Sequence, residues 1–189
     1  MYGTLRGLWK SLICAYSNLQ FEWGLGVAFW GFGVAIVLVM RAKKKNLFSF
    51  SWKEWLGIII FSLYMVLLLG GTLLCRDVGE ICQIELRLFW SYWETFVKHN
   101  QAIWQQMLYN VLIFIPWGTM VPFLFGIKRK EWVIGSAIIF SIAIECTQLI
   151  FKLGLFELDD VFHNTLGTVI GCGIWVGCQK IKRWRFIRC

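Results

Sequence analysis

Five stretches of this chain are long, apolar and almost free of charge, and they restrict its fold more than any other feature. They are residues 23–40, 55–75, 107–127, 132–151 and 161–179. Each approaches or exceeds the roughly 20 residues that a helix needs to cross the apolar core of a bilayer. The chain as a whole is 58% hydrophobic and only 16% charged, which is unusual for a soluble domain. The sequence therefore predicts an all-α, polytopic membrane helix bundle of about five transmembrane helices.

Two further regions complete the predicted organisation. Residues 1–22 are expected to form an amphipathic interfacial helix, with a helix packed against the bundle as the alternative. Residues 76–105 are rich in aromatic side chains yet interrupted by charge, which indicates an outer loop that is interfacial or partly re-entrant. The predicted division is thus an interfacial helix, a five-span membrane domain over 23–180, and a basic cytoplasmic tail over 181–189.

The distribution of charge predicts the orientation and argues against nucleic acid as a partner. The net charge is +8, but the basic residues lie in short clusters between apolar runs, as in cytoplasmic loops. With the N-terminus outside, the inner segments hold thirteen Lys and Arg residues and the outer segments hold six. We therefore expect the C-terminus to be cytoplasmic and the basic clusters to contact anionic lipid headgroups.

The seven cysteines do not predict a metal site. They show no paired CxxC spacing, and most lie inside apolar runs, where Cys behaves as a small hydrophobe. Cys75 and Cys82 both fall on the predicted outer side, where a disulfide can form. Whether they pair is left open by the sequence.

Polar side chains on three predicted spans lie at one depth. Asn110 is about one turn below the outer surface on the third span, and Glu145 and Gln148 lie within one to two turns of that surface on the fourth. On the fifth span, polar and small residues recur on one helical stripe: Asp160, His163, Asn164, Gly167 and Gly171. This pattern predicts an outer-leaflet pocket whose ligand-binding candidates are Asn110, Glu145, Gln148, Asp159, Asp160 and Asn164.

Each of these residues also has a structural interpretation. Glu145 can be a protonated carboxyl that hydrogen-bonds a neighbouring helix. The two adjacent aspartates suit the N-terminus of the fifth span, with Asp159 predicted as its cap and Asp160 as the working carboxylate. A single His163 is more often a packing residue. Together, Glu145, Asp160 and His163 are candidates for catalysis or metal binding, but their spacing matches no specific metal site, so metal and cofactor stay unassigned.

Three ordered motifs resemble the VanZ-like family of small bacterial membrane proteins. They are Asn110-x5-Pro116-x-Gly118, Glu145-x-x-Gln148 and Asp159-Asp160-x3-Asn164-Thr165-x-Gly167-x3-Gly171. The resemblance covers about residues 55–180 and implies structural roles for Pro116, Gly118, Thr165, Gly167 and Gly171. Many members carry an Arg shortly before the acidic pair, and this chain has none there. We conjecture that Arg76 or Arg87, on the predicted outer side, supplies the positive charge of that Arg instead.

What the resemblance implies for function is a role at the bacterial cell membrane. The namesake of the family is associated with low-level resistance to teicoplanin, a lipid-tailed glycopeptide antibiotic. The expected partners are therefore membrane lipids and a lipid-linked cell-wall precursor or lipoglycopeptide. An intramembrane enzyme acting on a lipid-linked substrate through Glu145 and Asp160 is the alternative, and a proton-coupled transporter and a purely structural subunit are further ones. The binding hypothesis is favoured; catalysis and the oligomeric state stay open.

Overall fold

The computed structural model describes residues 51–74, 83–127 and 129–187, together with the helical residues Gly33, Val34, Val37 and Arg41. The predicted interfacial helix and nearly all of the first predicted span lie outside these described residues, as do Cys75, Cys82 and Arg76. The chain divides into two compact units. One comprises Met1–Glu80 with Phe151–Gly154, and the other comprises Ile81–Ile150 with Leu155–Cys189.

In the first unit, helix α1 (Trp52–Leu69) continues into a π-helical segment, Gly70–Leu74. It begins three residues before the predicted start because the chain caps the helix at Ser51. The Ser51 backbone N–H donates to Glu54 Oε2 at 2.9 Å, and Arg41 Nη1 forms an ion pair with Glu54 Oε1 at 3.0 Å. Trp52 therefore belongs to the helix itself and lies 70% exposed at its start.

The described residues of the second unit form four helices and a pair of very short strands. The helices are α2 (Trp90–Phe96), α3 (Gln101–Phe125), α4 (Lys130–Ile150) and α5 (Leu158–Ile187). Strand β1 (Ile84–Glu85) pairs in parallel with β2 (Phe156–Glu157). Part of the segment predicted as an aromatic outer loop forms β1 and α2, and β1 pairs with the strand that leads into α5.

Four described helices are long and apolar enough to cross a membrane, namely Trp52–Leu73, Gln101–Phe125, Lys130–Ile150 and Leu158–Ile181. They correspond to the second to fifth predicted spans, so the all-α membrane fold class is confirmed. Large apolar side chains point away from the protein along these helices, for example Leu112, Ile139 and Ile150, each more than half exposed. Such a surface is costly in water but suits contact with lipid.

The bounds of two spans differ from the prediction for local reasons. Helix α3 starts at Gln101, six residues early, because the Asn100 side chain accepts a hydrogen bond from the Ala102 N–H at 3.1 Å and caps it. It continues through Pro116 and Pro122, both of which lie inside the helix. Helix α5 starts at Leu158 and remains helical as far as Ile187, through most of the predicted basic tail. Basic residues suit the C-terminal end of a helix dipole.

Glycines let α3 and α5 approach until their backbones touch. A Cβ atom added at Gly167 would collide with the Val111 carbonyl oxygen, and one at Gly171 would collide with that of Ile115. On the facing side, a Cβ at Gly118 would collide with backbone atoms of α5. Since residue numbers rise together along both helices, α3 and α5 run in the same direction. This is the most extensive helix contact in the second unit.

The second glycine pair of α5 behaves differently. A Cβ added at Gly173 or Gly177 would meet no atom within 4 Å. This pair, although spaced like Gly167 and Gly171, therefore makes no close helix contact within the described part of the chain. Among the described glycines of α5, Gly167 and Gly171 are the two that lie at the α3 contact.

Candidate functional site

The α3–α5 contact fixes the position of polar side chains on its N-terminal side, where both helices begin. That side is called the upper side below. Gln106 lies about one turn before Asn110 on α3, and Asp160 about one turn before Asn164 on α5. Helix α4 runs past them in the opposite sense, since its Ser141 meets Asn164 and its later Glu145 meets Glu157, at the start of α5. The result is two polar layers, one turn apart, built by three helices.

The upper layer contains three buried carboxyl groups and an amide. The Gln106 side-chain nitrogen reaches both Asp160 and Glu157, with closest nitrogen–oxygen distances of 3.1 and 3.3 Å. The Glu157 backbone N–H donates to Glu145 Oε2 at 2.9 Å. Glu145, Glu157 and Asp160 are each less than a tenth exposed. One amide therefore links two of these acids, and the β2 backbone links the third to the same group.

The lower layer is neutral. Asn164 Nδ2 donates to Ser141 Oγ at 2.7 Å, which joins α5 to α4. Asn110 lies on α3 at the same level, and all three side chains are at least nine-tenths buried. Asn110 Nδ2 and Asn164 Oδ1 have no hydrogen-bond partner within the described residues. The lower layer thus holds one unused donor and one unused acceptor.

Asp159 is directed away from both layers, toward the short helix α2. Its carboxylate accepts hydrogen bonds from the Phe89 N–H at 2.6 Å, the Ser91 N–H at 2.9 Å and the Ser91 hydroxyl at 2.5 Å. Phe89 has a left-handed backbone with φ 68° at the start of α2. The prediction that Asp159 caps its own helix is therefore wrong. It caps α2 instead, and the side chain is fully buried.

His163 also faces α2. Its Nε2 and the Tyr92 hydroxyl are 3.2 Å apart, and the rings of Tyr92 and Phe162 pack beside the imidazole. Burial raises the pKa of the Tyr92 phenol above its ordinary value, and the negative charge of Asp159 raises it further. Tyr92 therefore keeps its proton at neutral pH.

The three catalytic candidates have different neighbours. His163 contacts α2, Asp160 contacts Gln106, and Glu145 accepts from the Glu157 backbone.

The remaining predicted residues have simpler surroundings. Gln148 is 1% exposed on α4, one turn after Glu145. The Thr165 hydroxyl donates to the Val161 carbonyl of its own helix at 2.7 Å. Pro116 lies inside α3, and Gly118, Gly167 and Gly171 form the backbone contact described above. No cluster of three His, Cys, Asp or Glu side chains within the described ranges could hold a metal ion.

The conjecture that Arg87 supplies a cation to this site is wrong. Its guanidinium forms two hydrogen bonds to the Glu85 carboxylate, at 2.8 and 2.6 Å, and its side chain is 79% exposed. This ion pair lowers the pKa of Glu85 to about 2. Arg87 therefore belongs to a solvent-facing pair beside β1.

Sequence reasoning missed several side chains of the site. Gln106 lies one residue before the third predicted span and is therefore not among the predicted site residues. Because α3 begins at Gln101, its spacing of four from Asn110 puts it on the same helical face. Ser141 stands four residues before Glu145 on α4 and carries the same signal. Ser91 and Tyr92 join the site only through tertiary contacts between α2 and α5, for which the sequence contains no periodic signal.

Comparison with known proteins identifies the family of the chain. No curated protein and no solved structure matches the chain. A family profile, VanZ/LLP1, matches residues 13–180, so the match begins well before the 55–180 region that carries the motifs. That range includes both polar layers, the α2 cap and the α3–α5 glycine contact. This chain is a member of the VanZ/LLP1 family.

Proposed function

We propose that this protein acts in the bacterial cell envelope by binding the polar head of a membrane-embedded ligand. The ligand would be a lipid headgroup, a lipid-linked cell-wall precursor or a lipoglycopeptide, and binding would contribute to glycopeptide resistance of the teicoplanin type. The observation that carries the proposal is the pair of buried polar layers contributed by α3, α4 and α5. Polar groups at membrane depth are costly and are commonly retained for function.

The depth of the layers favours a ligand with both an apolar tail and a polar head. Gln106 and Asp160 lie within about two turns of the starts of α3 and α5, and Glu145 lies within about two turns of the end of the antiparallel α4. All three are therefore near the same side of the membrane. Positive-inside counting favours that end as the outer one, with the C-terminus cytoplasmic. A tail could then follow the exposed apolar helix surface while the head reaches the carboxyl and amide groups.

The test compares glycopeptide susceptibility and surface binding of a labelled lipoglycopeptide in a host with and without the gene. Asp160→Asn keeps the shape of the side chain but removes its charge. Hydrogen bonds to charged groups contribute roughly 1.5–3 kcal/mol, so we expect binding to weaken by about tenfold to a hundredfold and resistance to fall.

The matched control is Glu131→Gln, which also neutralises one carboxylate. Glu131 lies in the first turn of α4, at the opposite end of that helix from Glu145, and its side chain is 62% exposed. It should leave susceptibility and binding at the wild-type level. If the gene changes neither quantity despite equal expression, or if both variants lower binding equally, the proposal is wrong.

A further inference from the structure

Two buried amide atoms in the lower layer lack partners, and they are complementary. Asn110 Nδ2 is a donor and Asn164 Oδ1 is an acceptor, and neither forms a hydrogen bond in the part of the chain that the structure describes. The two residues are 5% and 3% exposed. Nearly all buried polar groups in native proteins are paired, so these two atoms offer a donor and an acceptor to a ligand group or a water molecule.

The contacts of neighbouring residues put Asn110 and Asn164 on the facing sides of α3 and α5. The face of α3 that carries Gln106 and Asn110 is directed toward α5, since Gln106 contacts Asp160. Asn164 lies one turn after Asp160, and its other amide atom is held by Ser141 of α4. Just below, the backbones of α3 and α5 touch at Val111 and Gly167, which closes the space from that side.

The hydrogen-bonding capacity of these two unpaired amide atoms limits which chemical group can bind between them. An ammonium group has only donors and cannot satisfy Asn110 Nδ2, and an ionised phosphate has only acceptors and cannot satisfy Asn164 Oδ1. A hydroxyl group donates and accepts through one oxygen. The carboxyl groups of the upper layer, one turn above, can accept from further hydroxyls of the same ligand.

We propose that the inner end of the pocket binds a hydroxyl group of a neutral polyol headgroup, such as a glycosyl lipid, between Asn110 and Asn164. This inference rests on the proposed function, because it assumes that the two layers form a headgroup pocket. It adds the ligand class, which is a polyhydroxyl head rather than an amine. Bound water has the same hydroxyl chemistry, so the experiment must separate the two sources.

The experiment uses the purified full chain in phosphatidylcholine nanodiscs, which avoid sugar-headed detergents. Monoglucosyl diacylglycerol or phosphatidylethanolamine is added at equal mole fractions, and the thermal unfolding midpoint is followed by tryptophan fluorescence. We expect the glucosyl lipid to raise the midpoint in a concentration-dependent way and phosphatidylethanolamine to leave it unchanged.

The diagnostic variant is Asn110→Leu, which replaces the unpaired amide with an apolar side chain of similar size. It removes no hydrogen bond within the described residues, so the unfolding midpoint without added lipid should not fall. The apparent affinity for the glucosyl lipid should drop by about tenfold. The control, Thr119→Val, removes a hydroxyl of α3 that bonds only to carbonyls of its own helix and should bind like the wild type.

The possible results separate this inference from the proposed function. Stabilisation by phosphatidylethanolamine and not by the glucosyl lipid would overturn the hydroxyl assignment while leaving a headgroup pocket in place. Wild-type affinity in Asn110→Leu would also overturn it, and would point to bound water between the two amides. If neither lipid shifts the midpoint and the lipoglycopeptide does not bind, both proposals fail together.

Discussion

The Asp159 carboxylate holds the short helix α2 against α5, and its replacement provides a direct test of that role. It accepts from two backbone N–H groups and one hydroxyl at the start of α2, at 2.6, 2.9 and 2.5 Å. Asp159→Asn preserves the size of the side chain but exchanges one acceptor oxygen for an NH₂ donor. That donor would face another donor, so up to two of the three hydrogen bonds are lost.

The expected loss follows from the charge and burial of the carboxylate. A hydrogen bond to a charged group contributes roughly 1.5–3 kcal/mol, so losing one or two costs about 1.5–6 kcal/mol. The Tyr92–His163 hydrogen bond and the edge contact between Phe89 and Phe162, with centroids 5.4 Å apart, remain. We therefore expect α2 to open locally, while α3 and α5 keep their glycine contact.

Hydrogen exchange followed by mass spectrometry measures this local opening. Since each 1.4 kcal/mol is a factor of ten, the protection of amides in α2 should fall at least about tenfold in Asp159→Asn. Asp160→Asn is the matched control, because it makes the same change one residue later, where the side chain contacts Gln106 of α3. Unchanged protection of α2 in Asp159→Asn, or equal loss in both variants, would refute the capping role.

Two further predictions concern the helix contact and the tyrosine. Gly167→Ala should lower the free energy of unfolding by about 1–3 kcal/mol, because the added methyl group meets the Val111 carbonyl. Gly173→Ala should not lower it, because the added methyl group meets no atom. Thermal unfolding of both variants tests this difference. Because the raised pKa of Tyr92 makes the folded state hold its proton more tightly, stability should fall as the pH rises above about 10. Tyr92→Phe should reduce that fall in a pH series of unfolding measurements.

The membrane helices could be predicted from sequence because their signal is local. A run of about 20 apolar residues is sufficient to identify a span. The first residues of these helices were harder to predict. Helix α3 begins at its Asn100 cap and α5 begins with acidic residues, so both helices start before their apolar runs. The parallel pairing of β1 with β2 was not predicted, because two-residue strands have no periodicity.

The composition of the site was predictable in part, for the same reason. Side chains repeated at three and four residues identify the helical face that holds Asn110, Glu145, Asp160 and Asn164. The direction in which a carboxylate of this polar cluster points could not be predicted in the same way. It depends on which neighbouring segment offers N–H groups, and the start of α2 is far away in the sequence.

The adjacent aspartates make different contacts from a single turn of α5. Successive residues on a helix point about 100° apart, so Asp159 and Asp160 cannot face the same neighbour. One therefore holds α2, and the other faces Gln106 of α3 in the upper polar layer. His163, one turn further along α5, contacts Tyr92 of α2 as well. The same helical turn of α5 therefore carries both the α2 cap and one wall of the proposed pocket.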